Sequence, residues 1–210
     1  MDGVAVARAA AAAARRRPPP DRRPMAAGAL RIVAGRLKGR KIPVPQDPGL
    51  RPTGDRVREA LFNILGQDLT GFEVLELYAG SGALGFEALS RGARRVVFVE
   101  AQARVAAALR RTAESLGVEH ESRIVAGRVE DVLDRGRLGG PFELVLADPP
   151  YRDEAEAGLV EAVDEGRVLG LHVTLVVERE SRTPPCEGTT GLRRVRTATY
   201  GGTALDFFKY

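Results

Sequence analysis

From residue 73 to residue 178, short apolar runs alternate with stretches in which apolar positions return every three or four residues. Runs of the first kind read as buried strands, and the longer spacing reads as helices with one face turned inward. The pattern predicts strands at 73–77, 95–99, 123–125, 142–147 and 172–178. Helices are predicted between them, at 83–91, 102–116, 129–135 and 154–168. Regular alternation of this kind implies a parallel sheet covered on both faces. The end of the chain departs from it: residues 192–200, a Gly201-Gly202 turn and residues 203–210 read as an antiparallel hairpin. The expected fold is therefore α/β and Rossmann-like, a mostly parallel seven-stranded sheet closed by a terminal antiparallel hairpin.

Ahead of this alternation, Leu30 to Val44 reads as two short strands around a glycine-containing turn, with basic side chains on one face. Thr53, in Leu50-Arg51-Pro52-Thr53, is placed to cap a helix over residues 55–66. Val57, Leu61, Ile64 and Leu65 fall near one face of that helix, with Arg56, Arg58 and Glu59 outside it. Residues 1–27 are rich in Ala, Arg and Pro and too poor in large apolar side chains to bury a core. That tail is expected to be disordered, with the functional chain starting near Met25. The chain thus divides into a tail (1–27), a basic hairpin-and-helix extension (28–70) and the main domain (71–210).

Charge sharpens this division. Residues 1–27 hold six arginines and two acids, and residues 28–60 hold eight basic and three acidic residues. The remaining 150 residues hold eighteen basic and twenty-three acidic ones, so the net charge of +4 belongs to the N-terminal quarter. Such asymmetry suggests a polyanionic partner. A single cysteine allows no intramolecular disulfide, and two distant histidines make no zinc site, so no metal is expected. No apolar run is long enough to span a membrane, and a cytoplasmic protein is expected.

The chemistry-bearing residues fall at strand ends. Gly80, Gly82 and Gly85 form G-x-G-x-x-G between the first main-domain strand and its helix, where missing Cβ atoms let a nucleoside approach the backbone. Glu100 ends the second strand, placed to accept both hydroxyls of a ribose. Loop and acid together suit NAD or S-adenosylmethionine. Glu76, just before the loop, favours the cationic amino-acid end of S-adenosylmethionine and would repel a pyrophosphate. Asp148-Pro149-Pro150-Tyr151 ends the fourth strand at the same carboxyl edge. Proline holds its own φ and keeps the preceding residue extended. The segment therefore offers a carboxylate, a free carbonyl and a flat ring to a planar group bearing an N–H donor. Asp148, Pro149 and Tyr151 are the candidate catalytic residues.

The chain resembles the RsmD-type bacterial methyltransferases. The likeness rests on Arg31-Ile32-Val33-Ala34-Gly35 with Lys38-Gly39-Arg40, on Arg51-Pro52-Thr53 followed by Arg56-Val57-Arg58-Glu59-Ala60-Leu61-Phe62, and on the glycine loop extended through Glu87-Ala88-Leu89-Ser90-Arg91-Gly92-Ala93. Glu100, Asp148 to Tyr151 and Tyr200-Gly201-Gly202-Thr203 complete it. The resemblance implies a class I S-adenosylmethionine-dependent methyltransferase fold and methyl transfer to the exocyclic N2 of a guanine in 16S ribosomal RNA. The expected substrate is the small subunit or its assembly intermediate, and the expected enzyme a monomer. It also implies a cofactor site of Glu76, Tyr78, Gly80, Ser81, Gly82, Gly85, Glu100, Arg128 and Val129. RNA would be held by Arg31, Lys38, Arg40, Lys41, Arg51, Thr53 and Arg56, with Arg58 beside them. Arg128-Val129 stands where the family often has Asn or Asp facing adenine, so backbone contacts are expected there. Two other readings use the same residues: methylation of another planar amine such as adenine N6, and a non-catalytic RNA-binding assembly factor.

Overall fold

A computed structural model describes residues 28–44, 54–134, 138–150, 155–166 and 168–210. The predicted tail, Arg51, Thr53 and Tyr151 lie outside the described residues. The elements run β1 (Ala29–Arg31), β2 (Lys41–Pro43), α1 (Asp55–Leu65), β3 (Glu73–Leu77), α2 (Ala83–Ser90), β4 (Arg95–Glu100), α3 (Ala103–Leu116) and β5 (Ser122–Ala126). They continue with α4 (Val129–Asp134), β6 (Phe142–Ala147), α5 (Ala155–Glu165), β7 (Leu169–Glu180), β8 (Arg193–Tyr200) and β9 (Thr203–Lys209).

β1 and β2 form a separate antiparallel pair, and the main sheet has seven strands in the order β5-β4-β3-β6-β7-β9-β8. β5 to β7 are mutually parallel, and β9 runs antiparallel between β7 and β8. The order reverses at β3, where the chain leaves for β4 on one side and β6 lies on the other. Ligands of open α/β sheets sit at such switch points, outside the carboxyl ends of the strands.

Alternation along each strand separates two cores. Leu75, Leu77, Val97, Val99, Val145 and Val177 pack with α4 and α5 on one face. Val74, Phe98, Leu146, Val176 and Leu205 pack on the other, with Phe86 and Leu89 of α2. That second core also takes in Ile32, Ile42, Leu61 and Phe62, so the N-terminal hairpin and α1 share it with the main domain.

The joint is polar at its centre. Glu87 of α2 is fully buried and accepts the backbone N–H groups of Val33 (2.8 Å) and Ala34 (3.0 Å). It also accepts Nε and Nη2 of Arg91, at 3.0 and 2.8 Å, and lies 3.6 Å from Nε of Arg58. Arg91 in turn sits 4.6 Å over the Phe62 ring. Gly35, at φ 78°, lets the hairpin turn press against Ser90, whose carbonyl a Cβ there would strike at 1.8 Å.

Two expectations for α1 are corrected here. Arg58, read as solvent-facing and able to hold phosphate, is 0% exposed and donates to the Arg31 carbonyl and Asp55. The buried face of α1 is Arg58, Leu61 and Phe62. The cap position is Gly54, with no side-chain cap bond, one residue after the threonine expected there. β7 is also longer than predicted at both ends: its early residues continue alongside β6 past a register shift, and Arg179 and Glu180 pair with β9.

Candidate functional site

The loop between β3 and α2 is shaped by its glycines. Gly80 and Gly82 adopt φ of 52° and 74°, the left-handed region where a Cβ is penalised. Tyr78, with φ 55°, shares that conformation without being glycine, a strained placement of a kind found where backbones meet ligands. Gly85 is needed for packing: a Cβ there would lie 2.5 Å from both Oε2 of Glu76 and a ring carbon of Phe98.

Register brings the predicted acids onto one face. Glu76 pairs with Phe98 on β4 and Leu146 on β6. Glu100 and Asp148 each lie two residues beyond those partners, so all three side chains leave the same face at the carboxyl edge. Glu100 is buried; its Oε2 accepts Gly80 N–H at 2.9 Å and its Oε1 accepts Gln102 N–H at 2.7 Å. Each oxygen keeps a second lone pair for a further donor.

Glu76, 4% exposed, accepts the Gly85 N–H at 2.9 Å. Burial pushes its carboxyl up to about 8, against those backbone bonds, with Asp148 and Glu100 adding to the rise. It is therefore largely the neutral acid at neutrality. Asp148 is half-buried and is raised well above the ordinary carboxylate range, first by burial and then by Glu178. Pro149 after it is buried and Pro150 exposed.

The proposed adenine end lies at the start of α4. Arg128 is exposed and pairs with Glu130 at 3.4 Å, while Val129 is buried in the α4 core. The half-buried Tyr78 donates its hydroxyl to Glu130 at 3.3 Å, and burial, then Glu130, push its phenol to about 12. Ser81 is half-buried between the glycines. In the hairpin, Arg31, Lys38, Arg40 and Lys41 are exposed, as is Arg56 on α1; Arg40 also reaches the Ser115 carbonyl. Glu178, buried at the end of β7, was not singled out from sequence, although it ends the fifth strand as Asp148 follows the fourth.

Four carboxyl groups beside a glycine loop suit a ligand with positive charge and hydroxyl donors, and disfavour a pyrophosphate. Among the described residues no group of three or more His, Cys, Asp or Glu could hold a metal ion. No helix among them is long and apolar enough to cross a membrane.

Residues 30–209 match the model of a family described as conserved hypothetical protein 95. A Haemophilus influenzae protein named ribosomal RNA small subunit methyltransferase D is 39% identical over 162 residues, 77% of this chain and 84% of that one. The Escherichia coli K12 protein of the same name is 37% identical over 154 residues, 73% of this chain and 76% of the relative. The solved structure of yhhF from Escherichia coli is 32% identical, with a TM-score of 0.74 over 86% of this chain and 97% of that one. An RNA methyltransferase from Salinibacter ruber, solved with S-adenosyl-L-homocysteine, shares the fold at 18% identity and a TM-score of 0.56, over 75% and 92% of the two chains.

Proposed function

The chain belongs to the RsmD-type, conserved hypothetical protein 95 family, and from that premise we propose that it transfers a methyl group from S-adenosylmethionine to the exocyclic N2 of a guanine in 16S ribosomal RNA. The observation that carries this reading is the register of β3, β4 and β6, which sets Asp148 beside Glu76 and Glu100 on one face. The proposed substrate is the small ribosomal subunit or an assembly intermediate, and the proposed enzyme is a cytoplasmic monomer.

S-adenosylmethionine, when bound, supplies an electrophilic methyl group on a sulfonium. Glu100 would hold its ribose, and Glu76 its cationic amino-acid end. Gly80, Ser81, Gly82 and Gly85 would line its backbone side, with Tyr78, Arg128 and Val129 toward the adenine. The amine of guanine is a poor nucleophile because its lone pair is delocalised into the ring. Asp148 and the Pro149 carbonyl accept its two N–H bonds, hold it still and draw the lone pair toward the methyl donor. Asp148 is also the nearest acceptor for the proton lost on transfer. Tyr151 stacks on the base, a contact of about 1–3 kcal/mol in single-strand binders. Because the amine must enter a recess, the guanine is unstacked or lies in a loop.

Small subunits lacking the modification, incubated with enzyme and labelled S-adenosylmethionine, test the reading when the product nucleoside is identified. N2-methylguanosine is expected; N6-methyladenosine, or no transfer, would overturn it.

The raised carboxyl of Glu76 has a consequence for pH. Being neutral below about 8, it must lose its proton to face a cation, so binding releases a proton. Affinity for S-adenosylmethionine is expected to climb between pH 6 and 7.5, by up to about tenfold per unit. Glu76→Gln should flatten that slope in calorimetry; an unchanged slope would place the titrating group elsewhere. Without ligand the sign reverses. The folded group holds its proton more tightly than the unfolded one, so its contribution to stability is full below about pH 4.5 and lost as pH rises through about 8.

Lys38, Arg40, Lys41 and Arg31 of the hairpin, with Arg51, Thr53 and Arg56, are the proposed grip on RNA phosphates. Reversing charge at Lys38, Arg40 and Lys41 together should weaken subunit binding. It should also reduce the salt dependence of log K by about one unit for each phosphate no longer neutralised. An unaltered salt slope would remove the hairpin from the interface.

A further inference from the structure

The carboxyl edge of the sheet holds one more acid than the proposed reaction has used. Glu178 of β7 is 5% exposed and follows Val176 by two residues. Val176 pairs with Leu146, so Glu178 stands level with Asp148 on the adjacent strand and leaves the sheet from the same face. Neighbouring strands are about 4.8 Å apart, which puts the two acids side by side at the carboxyl edge. Across β9 its partner is Leu205, an apolar residue of the core on that face. Arg179, the next residue, points to the opposite face and holds Asp206 there. The rise of the Asp148 carboxyl, for which Glu178 is the second cause after burial, agrees with this proximity.

Guanine and adenine differ most simply beside the amine. Guanine presents N1–H next to N2–H₂, whereas adenine presents a bare N1 next to its N6 amine. With Asp148 and the Pro149 carbonyl occupied by the amine, the neighbouring ring position meets whatever stands beside Asp148. A carboxylate there accepts N1–H and repels a bare ring nitrogen. We infer that Glu178 selects the base, its carboxylate accepting N1–H of the target guanine beside the amine held by Asp148. This inference rests on the guanine reading proposed above. An adenine with its amine on Asp148 would instead turn a lone pair toward Glu178.

The test compares reconstituted small subunits carrying either guanine or 2-aminopurine at the target. 2-Aminopurine keeps the N2 amine but lacks the N1 proton and O6. Wild type should prefer guanine by about 10³-fold or more in kcat/KM, as sites built to pair a substrate N–H do. Glu178→Gln, whose amide can donate to a bare N1, should shrink that ratio to within about tenfold. Its affinity for S-adenosylhomocysteine and its thermal midpoint should stay as in wild type. The loss of O6 affects both enzymes and cancels in the comparison. If wild type makes N2-methylguanosine and the ratio is unchanged in Glu178→Gln, the inference alone is overturned. It is equally overturned if Glu178→Gln no longer binds S-adenosylhomocysteine, since the role is then structural. If wild type methylates a different atom, the guanine reading itself falls, and this inference with it.

Discussion

Asp148→Ala is expected to lower the rate of methyl transfer by about 10³-fold or more, while affinity for S-adenosylhomocysteine changes little. The reason is positional. Asp148 follows β6 where the buried strand ends, and the prolines after it keep its neighbours from joining a helix. In the proposed reaction this carboxylate is the group that faces the amine. Alanine removes both the acceptor that fixes the amine and the nearest site for its proton. Asp148→Asn separates the two roles, because the amide oxygen still accepts an N–H but is no base. Substantial activity in the Asn variant would assign Asp148 to orientation, the proton passing to water. Near-normal turnover in the Ala variant would remove it from the site altogether.

The second large effect lies away from the chemistry. Glu87→Ala is expected to destabilise the protein by about 3–5 kcal/mol, the range seen when one partner of a buried ion pair is removed. Its carboxylate holds the Val33 and Ala34 N–H groups and faces Arg91 and Arg58, both buried. Without it, two arginines and two backbone donors are left in a core that also includes Ile32, Phe62 and Phe86. The thermal midpoint should fall on the order of 10 °C, and equilibrium urea unfolding would give the free energy directly. A loss below about 1 kcal/mol would mean that water reaches the joint and that the hairpin is held by apolar packing alone.

This joint changes how the N-terminal block is understood. The stretches on which the family resemblance chiefly rests, around Arg58 and from Glu87 to Arg91, are in part a docking surface between the extension and α2. Arg58 reads as solvent-facing in sequence because buried arginines are rare and its neighbours Arg56 and Glu59 are polar. Only the chain folding back from β1 supplies the Arg31 carbonyl that accepts its guanidinium. The proposed RNA grip accordingly excludes Arg58, while the basic hairpin residues are exposed.

Much of the candidate site's arrangement was legible because its determinants are local. A glycine loop between an apolar run and a helix, an acid at the next strand end, and Asp-Pro-Pro after another apolar run each declare themselves within ten residues. Glu178 was missed because its meaning is relational: a glutamate ending a strand is ordinary until that strand lies beside β6 with Val176 against Leu146. Val129, read as the first residue of a helix, begins α4 and its side chain is core.

By itself, the amino-acid order determined the alternation of strands and helices, the parallel sheet and its terminal hairpin, and the residue types at each strand end. These follow from side-chain periodicity and from the backbone restrictions of glycine and proline, which act over a few residues. Tertiary structure alone decided which acids share a face, that Glu76 is buried enough to hold its proton, and that Arg58 is internal. Those depend on strand register and on burial between segments far apart in the chain. Sheet pairing sets the first, and docking of the hairpin and α1 on α2 sets the burial of Arg58; no local pattern encodes either.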